Sequence, residues 1–316
     1  MVKLFDTMVQ PILTYGGELW GLFRWRKCEF ECLMNSLLSN DHAFEKVHIK
    51  FCKQSLGVDR QTPDLLARAE LGRFPIFDVI IKKCYNYWQH ILSQDNQSWL
   101  IKALQCSVNM DRCGIMNYYS RFKSLLAILG QNSKIYVSSK SVVQKETKLI
   151  SEAYRSLFVN RFFKIIEDKV NNQNPGKFLI YSQVKSNYYR ENYLDNIHNY
   201  KLRKHITGLR CASNILPVNY LRKKGVKRDE RFCTMCNNND IGTEIHTIMK
   251  CPNVTLEFLR REFFEKLYLI SPQISKLNIE QKFYYVTACI DDKITFYYAI
   301  YLDKIYRLIK KKKEIN

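Results

Sequence analysis

FCTMCNNNDIGTEIHTIMKCP, Phe232 to Pro252, sets Cys233, Cys236, His246 and Cys251 in a C-x2-C-x9-H-x4-C order. Three thiolates and one imidazole make a closed tetrahedral ligand set for one structural Zn²⁺. The two-residue gap lets a tight turn aim Cys233 and Cys236 at the same metal. The four-residue gap is expected to set His246 and Cys251 about one helical turn apart, on one face. Asn237, Asn238, Asn239, Asp240 and Gly242 supply turn chemistry between the halves. Pro252 stops a short helix just after the last ligand.

Outside this stretch, the 316 residues suffice for two domains or one large one, and 46% are hydrophobic, enough to bury a core. No apolar run approaches the length of a membrane span, and the start, MVKLFDTMVQP, lacks a signal-peptide pattern. The other eight cysteines, Cys28, Cys32, Cys52, Cys84, Cys106, Cys113, Cys211 and Cys289, are scattered through helix-like segments without a disulfide spacing. A reducing cytoplasm or nucleus is expected. Cys28, Cys32, His42 and Cys52 can be drawn as a second metal set, but with poor gaps.

Net charge is +20, unevenly spread. Residues 1–100 carry 12 Lys/Arg and 11 Asp/Glu, whereas Tyr200–Arg231 alone carries 10 basic residues against Asp229 and Glu230. A metal-held loop beside such a block points to a polyanion, most simply RNA or single-stranded or target DNA. Arg222, Lys223, Lys224, Lys227, Arg228 and Arg231 are expected to approach phosphates, and Lys201, Arg203, Lys204 and Arg210 to extend the track. Tyr220 and Phe232 either stack on unpaired bases or pack against the knuckle.

The rest of the chain reads as helices. Leu4, Phe5, Met8, Val9 and Ile12 form an apolar stripe interrupted by Pro11. Asp41 is expected to cap a helix through Leu56, with Phe44, Val47, Phe51 and Cys52 on one face and His48 as a packed or edge histidine. Thr62-Pro63-Asp64 opens another helix. Ile76–Leu92 shows the i, i+3, i+4 pattern at Phe77, Ile80, Ile81, Cys84, Trp88, Ile91 and Leu92, with Lys82, Lys83, Asn86 and Gln89 outward. Residues 93–145 read as a connector with short helices. A helix resumes at Lys148, with Leu149, Ala153, Leu157, Phe158 and Phe162 apolar. FLIYSQV, 178–184, reads as a short strand. Further helices are expected over Tyr200–Arg210, Val254–Leu267 (through Phe258, Leu259, Phe263 and Leu267) and Ile294–Ile309.

Several of these segments, LFDTMVQPILTYGGELWG, FEKVHIKFCKQSLGV, TPDLLARAELGRFPI and YNYWQHIL, followed by LPVNYLRKKGVKRDERFCTMC and EIHTIMKCP, are similar to the region past the polymerase core of non-LTR (LINE-type) retrotransposon reverse transcriptases. The resemblance covers 1–92 and 199–252. It implies a mainly α fold: a thumb-like helical part (1–92), a helical linker (93–190), a basic segment with a CCHC zinc knuckle (191–270) and C-terminal helices with a basic tail (271–316). In the intact family this region helps hold template RNA or target DNA, beside a polymerase domain that such a chain would need as its partner.

Two-metal nucleotidyl transfer needs clustered carboxylates. The sole Asp-Asp pair, Asp291-Asp292, precedes an apolar helix and reads as a cap with an acidic first turn. There is no P-loop and no glycine-rich dinucleotide motif. The expectation is the C-terminal part of such a polyprotein, without polymerase or endonuclease core and without catalysis of its own. The alternatives are an inert remnant of a truncated element and a structural zinc protein that binds other proteins.

Overall fold

The computed structural model describes residues 2–24, 40–136, 140–172 and 176–315. Among them the chain is mainly helical, with β structure limited to two isolated antiparallel bridges, Leu71 with Arg190 and Phe232 with Ile241. It forms two compact units, Met1–Phe51 with Phe74–Lys164, and Cys52–Arg73 with Ile165–Asn316. Residues 52–73 thus group with 165–316 rather than with their sequence neighbours.

The first unit is built on the helix Phe77–Leu92. Its helical period buries Phe77, Ile80, Ile81, Cys84, Tyr85 and Trp88. Against them pack Phe5, Leu22 and Phe44 from earlier in the chain and Phe122, Leu125, Ile150 and Tyr154 from later helices. Full burial of each such side chain contributes about 1.5–3 kcal/mol. The helix start has no local side-chain cap; the Glu45 carboxylate accepts the Phe77 N–H at 3.1 Å instead. Gln89, expected to face out, is buried. Its amide donates to the Tyr136 carbonyl at 3.1 Å, beside Trp88 Nε1, which donates to the Ile135 carbonyl at 2.9 Å. A loop covers the helix there, and its carbonyls need donors.

Local differences from the sequence expectation have similar causes. The helix Ala43–Leu56 starts two residues past Asp41, and Val47 is exposed while Phe44 is buried. His48 is buried and stacked on Phe5 at 5.4 Å, 3.8 Å from Glu45, as a packed histidine. The N-terminal stripe buries only Phe5; Leu4, Met8 and Ile12 are exposed. A π-turn, Phe5–Val9, ends before Pro11, which sits in the first turn of Gln10–Leu13, where its missing N–H is harmless. The connector holds Trp99–Arg112 and Tyr118–Ile128, the second opened by a reciprocal Asn117–Ser120 capping box. The long helix begins at Lys140 and runs to Asn171, and its buried ridge is Ile150, Tyr154, Phe158 and Phe162, leaving Leu149 exposed. Cys28 and Cys32 of the second metal set lie outside the described residues, and Cys52 is buried.

In the second unit the expected strand 178–184 is helical, a 3-10 turn followed by Leu179–Val184. Ile180, Tyr181 and Val184 are buried on one face, and this packing overrides the β preference of the residue types. The helix Asp64–Glu70 has Pro63 at its cap position, so it starts one residue later than a Thr62 cap with Pro63 as first helical residue would set. Gly72, at φ +61°, lies so close to the backbone of Arg190 that a Cβ would sit 2.3 Å from its nitrogen. Val254–Ile270 buries Leu256, Phe263 and Leu267, and leaves Phe258 exposed.

Arg210 ties these pieces together. It has no exposed surface. Its Nε donates to Glu70 at 2.7 Å, its Nη1 to the Thr287 carbonyl at 2.8 Å, and its Nη2 lies 2.9 Å from Glu191. Tyr193 donates to the same Glu70 oxygen at 2.5 Å, and Lys185 pairs with Glu191 at 2.5 Å. Burial opposes the charge on Arg210, but Glu70 and Glu191 hold its pKa well above the ordinary guanidinium value. Removing one partner from such a group strands the other in a low dielectric and costs about 3–5 kcal/mol. Arg210→Ala should therefore lower the urea midpoint sharply. Lys123→Ala, which loses a surface pair with Asp111 and a 5.8 Å contact over the Tyr119 ring, should cost about 1 kcal/mol or less in the same denaturation series.

Candidate metal centre

The knuckle begins with a hairpin-like ladder. The Cys233 N–H donates to the Asp240 carbonyl at 2.7 Å, the Gly242 N–H to the Arg231 carbonyl at 2.8 Å, and Phe232 bridges Ile241. Asn239 closes the turn in the left-handed region, φ 55°, where asparagine is tolerated. Gly242 is required by proximity: a Cβ there would lie 2.5 Å from Pro217 and 3.1 Å from the Cys233 Cα.

Thr243 then caps the second half, its hydroxyl accepting the His246 N–H at 3.0 Å. His246–Lys250 is a π-turn, closed by the Cys251 N–H on the His246 carbonyl at 2.7 Å. This corrects the expected α-helical spacing. Residues five apart on an α-helix point about 140° away from one another, whereas the wider i→i+5 turn brings Cys251 back under His246.

The four candidate ligands converge: their ligating atoms all lie within 4.8 Å of one another. Cys233 Sγ and Cys251 Sγ are 3.8 Å apart, and Cys236 Sγ lies 3.4 Å from His246 Nε2. A tetrahedron with Zn–S of about 2.3 Å and Zn–N of about 2.0 Å has edges of about 3.5–3.8 Å, so the cluster fits zinc. Cys233 Sγ also accepts the Met235 N–H at 3.4 Å. Asp240 lies 3.7 Å from His246 Nδ1, leaving Nε2 for the metal. The thiol contact holds Cys233 below the usual thiol range and Cys251 above it, a shared proton that a divalent cation displaces.

Later helices fix the knuckle from below. Arg260 donates to the Ile248 and Cys251 carbonyls at 3.2 and 2.8 Å, Tyr301 to Ile248 at 2.6 Å, and Asn253 to Met235 at 3.0 Å. Short-range spacing gives no signal for Arg260 or Tyr301, whereas Asn253 is legible as a helix cap.

The basic candidates divide by burial. Arg210 is excluded from any surface contact, for the reason given above. Lys201 pairs with Asp303 at 2.9 Å, Lys223 with Asp59, and Arg203 donates to the Leu194 carbonyl at 3.2 Å. Lys204, Lys224, Lys227 and Arg228 are exposed, with Lys224 4.7 Å over the half-buried Tyr220 ring. Phe232 is 45% exposed, outside the core. Arg222, Lys227, Arg228 and Arg231 line one cleft of about 980 Å³ with His246, Asn219 and Glu244. Lys177 lines it too; burial, and next the neighbouring Arg222, hold its pKa below the lysine range. Sequence reading missed Lys177, Asn219 and Glu244, which lie outside the cationic block or are uncharged. Asp291 accepts the Ile294 N–H at 2.9 Å as a helix cap.

Compared with protein-family models, curated proteins and solved structures, the chain matches none. Among the described residues no helix is long and apolar enough to cross a membrane. Purified protein should hold one zinc per chain. Cys251→Ser should lower that content measured by mass spectrometry of the metal, while Cys106→Ser, at an exposed thiol away from the cluster, should leave it unchanged. Equal loss in both would place the metal elsewhere.

Proposed function

We propose that this chain is a zinc-ordered module that binds single-stranded RNA or DNA through phosphate contacts, without catalysis of its own. By the motifs quoted above, we read it as the C-terminal region of a non-LTR retrotransposon reverse transcriptase, acting beside a polymerase domain. One observation carries the binding reading: six basic side chains, Lys177, Arg222, Lys227, Arg228, Arg231 and Lys250, line the same cleft as the candidate zinc ligand His246. The ligand cluster ordered by the metal holds the segment 226–246 that presents Lys227, Arg228 and Arg231, and Phe232 offers an exposed ring for base stacking.

A structural zinc protein that docks on another protein is the second reading, favoured by the exposed Leu4, Met8 and Ile12. Salt dependence separates the two. Each phosphate contact to a single strand contributes roughly 0.7 to the slope of log affinity against log salt. Lys227→Ala with Arg228→Ala should weaken binding to all strands and flatten the slope by about 1.4. Phe232→Ala should cost about 1–3 kcal/mol of affinity with the slope unchanged. If the double variant keeps both affinity and slope, phosphate binding by the cleft is wrong and protein docking moves ahead.

A further inference from the structure

Asp229, Asp240, Glu244 and Glu280 stand among the cations of the cleft, and of these Glu244 is held there by a neutral side chain. Asn219, itself buried, donates through Nδ2 to Glu244 Oε1 at 2.5 Å and to Asn214 Oδ1 at 3.1 Å. Asn214 Oδ1 also accepts the Leu216 N–H at 3.0 Å, so the whole relay is fixed to backbone. Asn219 is the one side chain hydrogen-bonded to Glu244 among the described residues, and Arg222 and Arg228 act on it only through space. A carboxylate has about four acceptor positions. Asn219 and the Glu244 backbone N–H take part of that capacity, and Glu244 lines the cleft together with the cationic rim and Tyr284.

The ligand that matches must bring an anion for the rim and a donor-rich edge for the carboxylate. We infer that the cleft receives one unpaired guanine nucleotide of a bound strand, its phosphate on Arg222 and Arg228 and its N1–H and N2–H₂ edge on Glu244. Guanine carries two adjacent donors on its pairing edge. Adenine and cytosine each set one amino donor beside an acceptor nitrogen, which a carboxylate repels, and uracil offers a single N–H between two carbonyls. A flipped-out base read on that edge and set against an aromatic ring is the ordinary way single strands are recognised. A volume of about 980 Å³ exceeds what one nucleotide needs and leaves room for its neighbour's phosphate. This assignment rests on the nucleic-acid reading above.

The test uses the full zinc-loaded chain and short fluorescent oligouridine strands, RNA and DNA, with one central guanine, hypoxanthine or uracil. Hypoxanthine lacks only the N2 amine. The guanine strand is expected to bind about tenfold more tightly than the hypoxanthine strand, the loss of one hydrogen bond to a charged acceptor. Glu244→Gln should bring the guanine strand down to the hypoxanthine level with zinc content retained. The comparison in the unmodified protein needs no variant, so a misfolded Glu244→Gln protein does not decide the matter. Equal, salt-dependent binding of all strands overturns the guanine pocket and leaves phosphate binding intact. No binding of any strand removes both. Preference for free GMP over IMP without preference among strands overturns the assignment in favour of a free nucleotide.

Discussion

Burying a guanidinium requires opposing charge and acceptors around it, and Arg210 sets the terms for the second unit. Two carboxylates and two cations, Glu70, Glu191, Arg210 and Lys185, balance charge in a largely buried site. Their partners come from 52–73, from the stretch around 190, and from the carbonyls at the end of Ile279–Ala288. An ion pair of this kind contributes little net stability compared with apolar packing. It does fix which segments meet, because any other pairing leaves an uncompensated charge. The helix Tyr200–Arg210 is thereby oriented with its last turn inward, and its cations at 201 and 204 lie toward solvent.

The metal cluster depends on that frame for its lower half. A π-turn leaves carbonyls poorly satisfied within the turn itself, and those of Ile248 and Cys251 are taken by Arg260 and Tyr301. Both come from helices C-terminal to the knuckle, Val254–Ile270 and Asp292–Ile315, which pack on each other through Phe263 stacked on Tyr301 at 4.4 Å. The upper half is held by Gly242 against Pro217, which joins the ladder to the helix carrying Arg222. The cations and the candidate ligands are therefore neighbours through backbone, and loss of the cluster would disperse the cleft.

Charge density along the chain is a poor guide to which cations are free. Of the ten basic residues in Tyr200–Arg231, Arg210 is consumed by the core, Lys201 and Lys223 are consumed by carboxylates, and Arg222 is partly held by the Ala212 carbonyl at 2.9 Å. Of the rest, Lys227, Arg228 and Arg231 line the cleft with His246, where crowding of like charge stabilises an incoming anion.

The sequence by itself determined the helical character, because apolar periodicity such as Phe77, Ile80, Ile81, Cys84 and Trp88 acts within a few residues. It also determined the four candidate ligands, since Cys and His at those gaps have few other uses and the turn residues between them are local. The tertiary structure alone decided the conformation that makes the ligands meet: a five-residue gap in an α-helix diverges, and only packing under Ile248 sustains the π-turn. It also decided that 178–184 is helix, that Gln89 is buried, and that Arg210 belongs to the core. Each of those outcomes depends on a partner far along the chain, 140 residues away for Arg210 and Glu70, and a single sequence carries no record of which distant groups compensate one another.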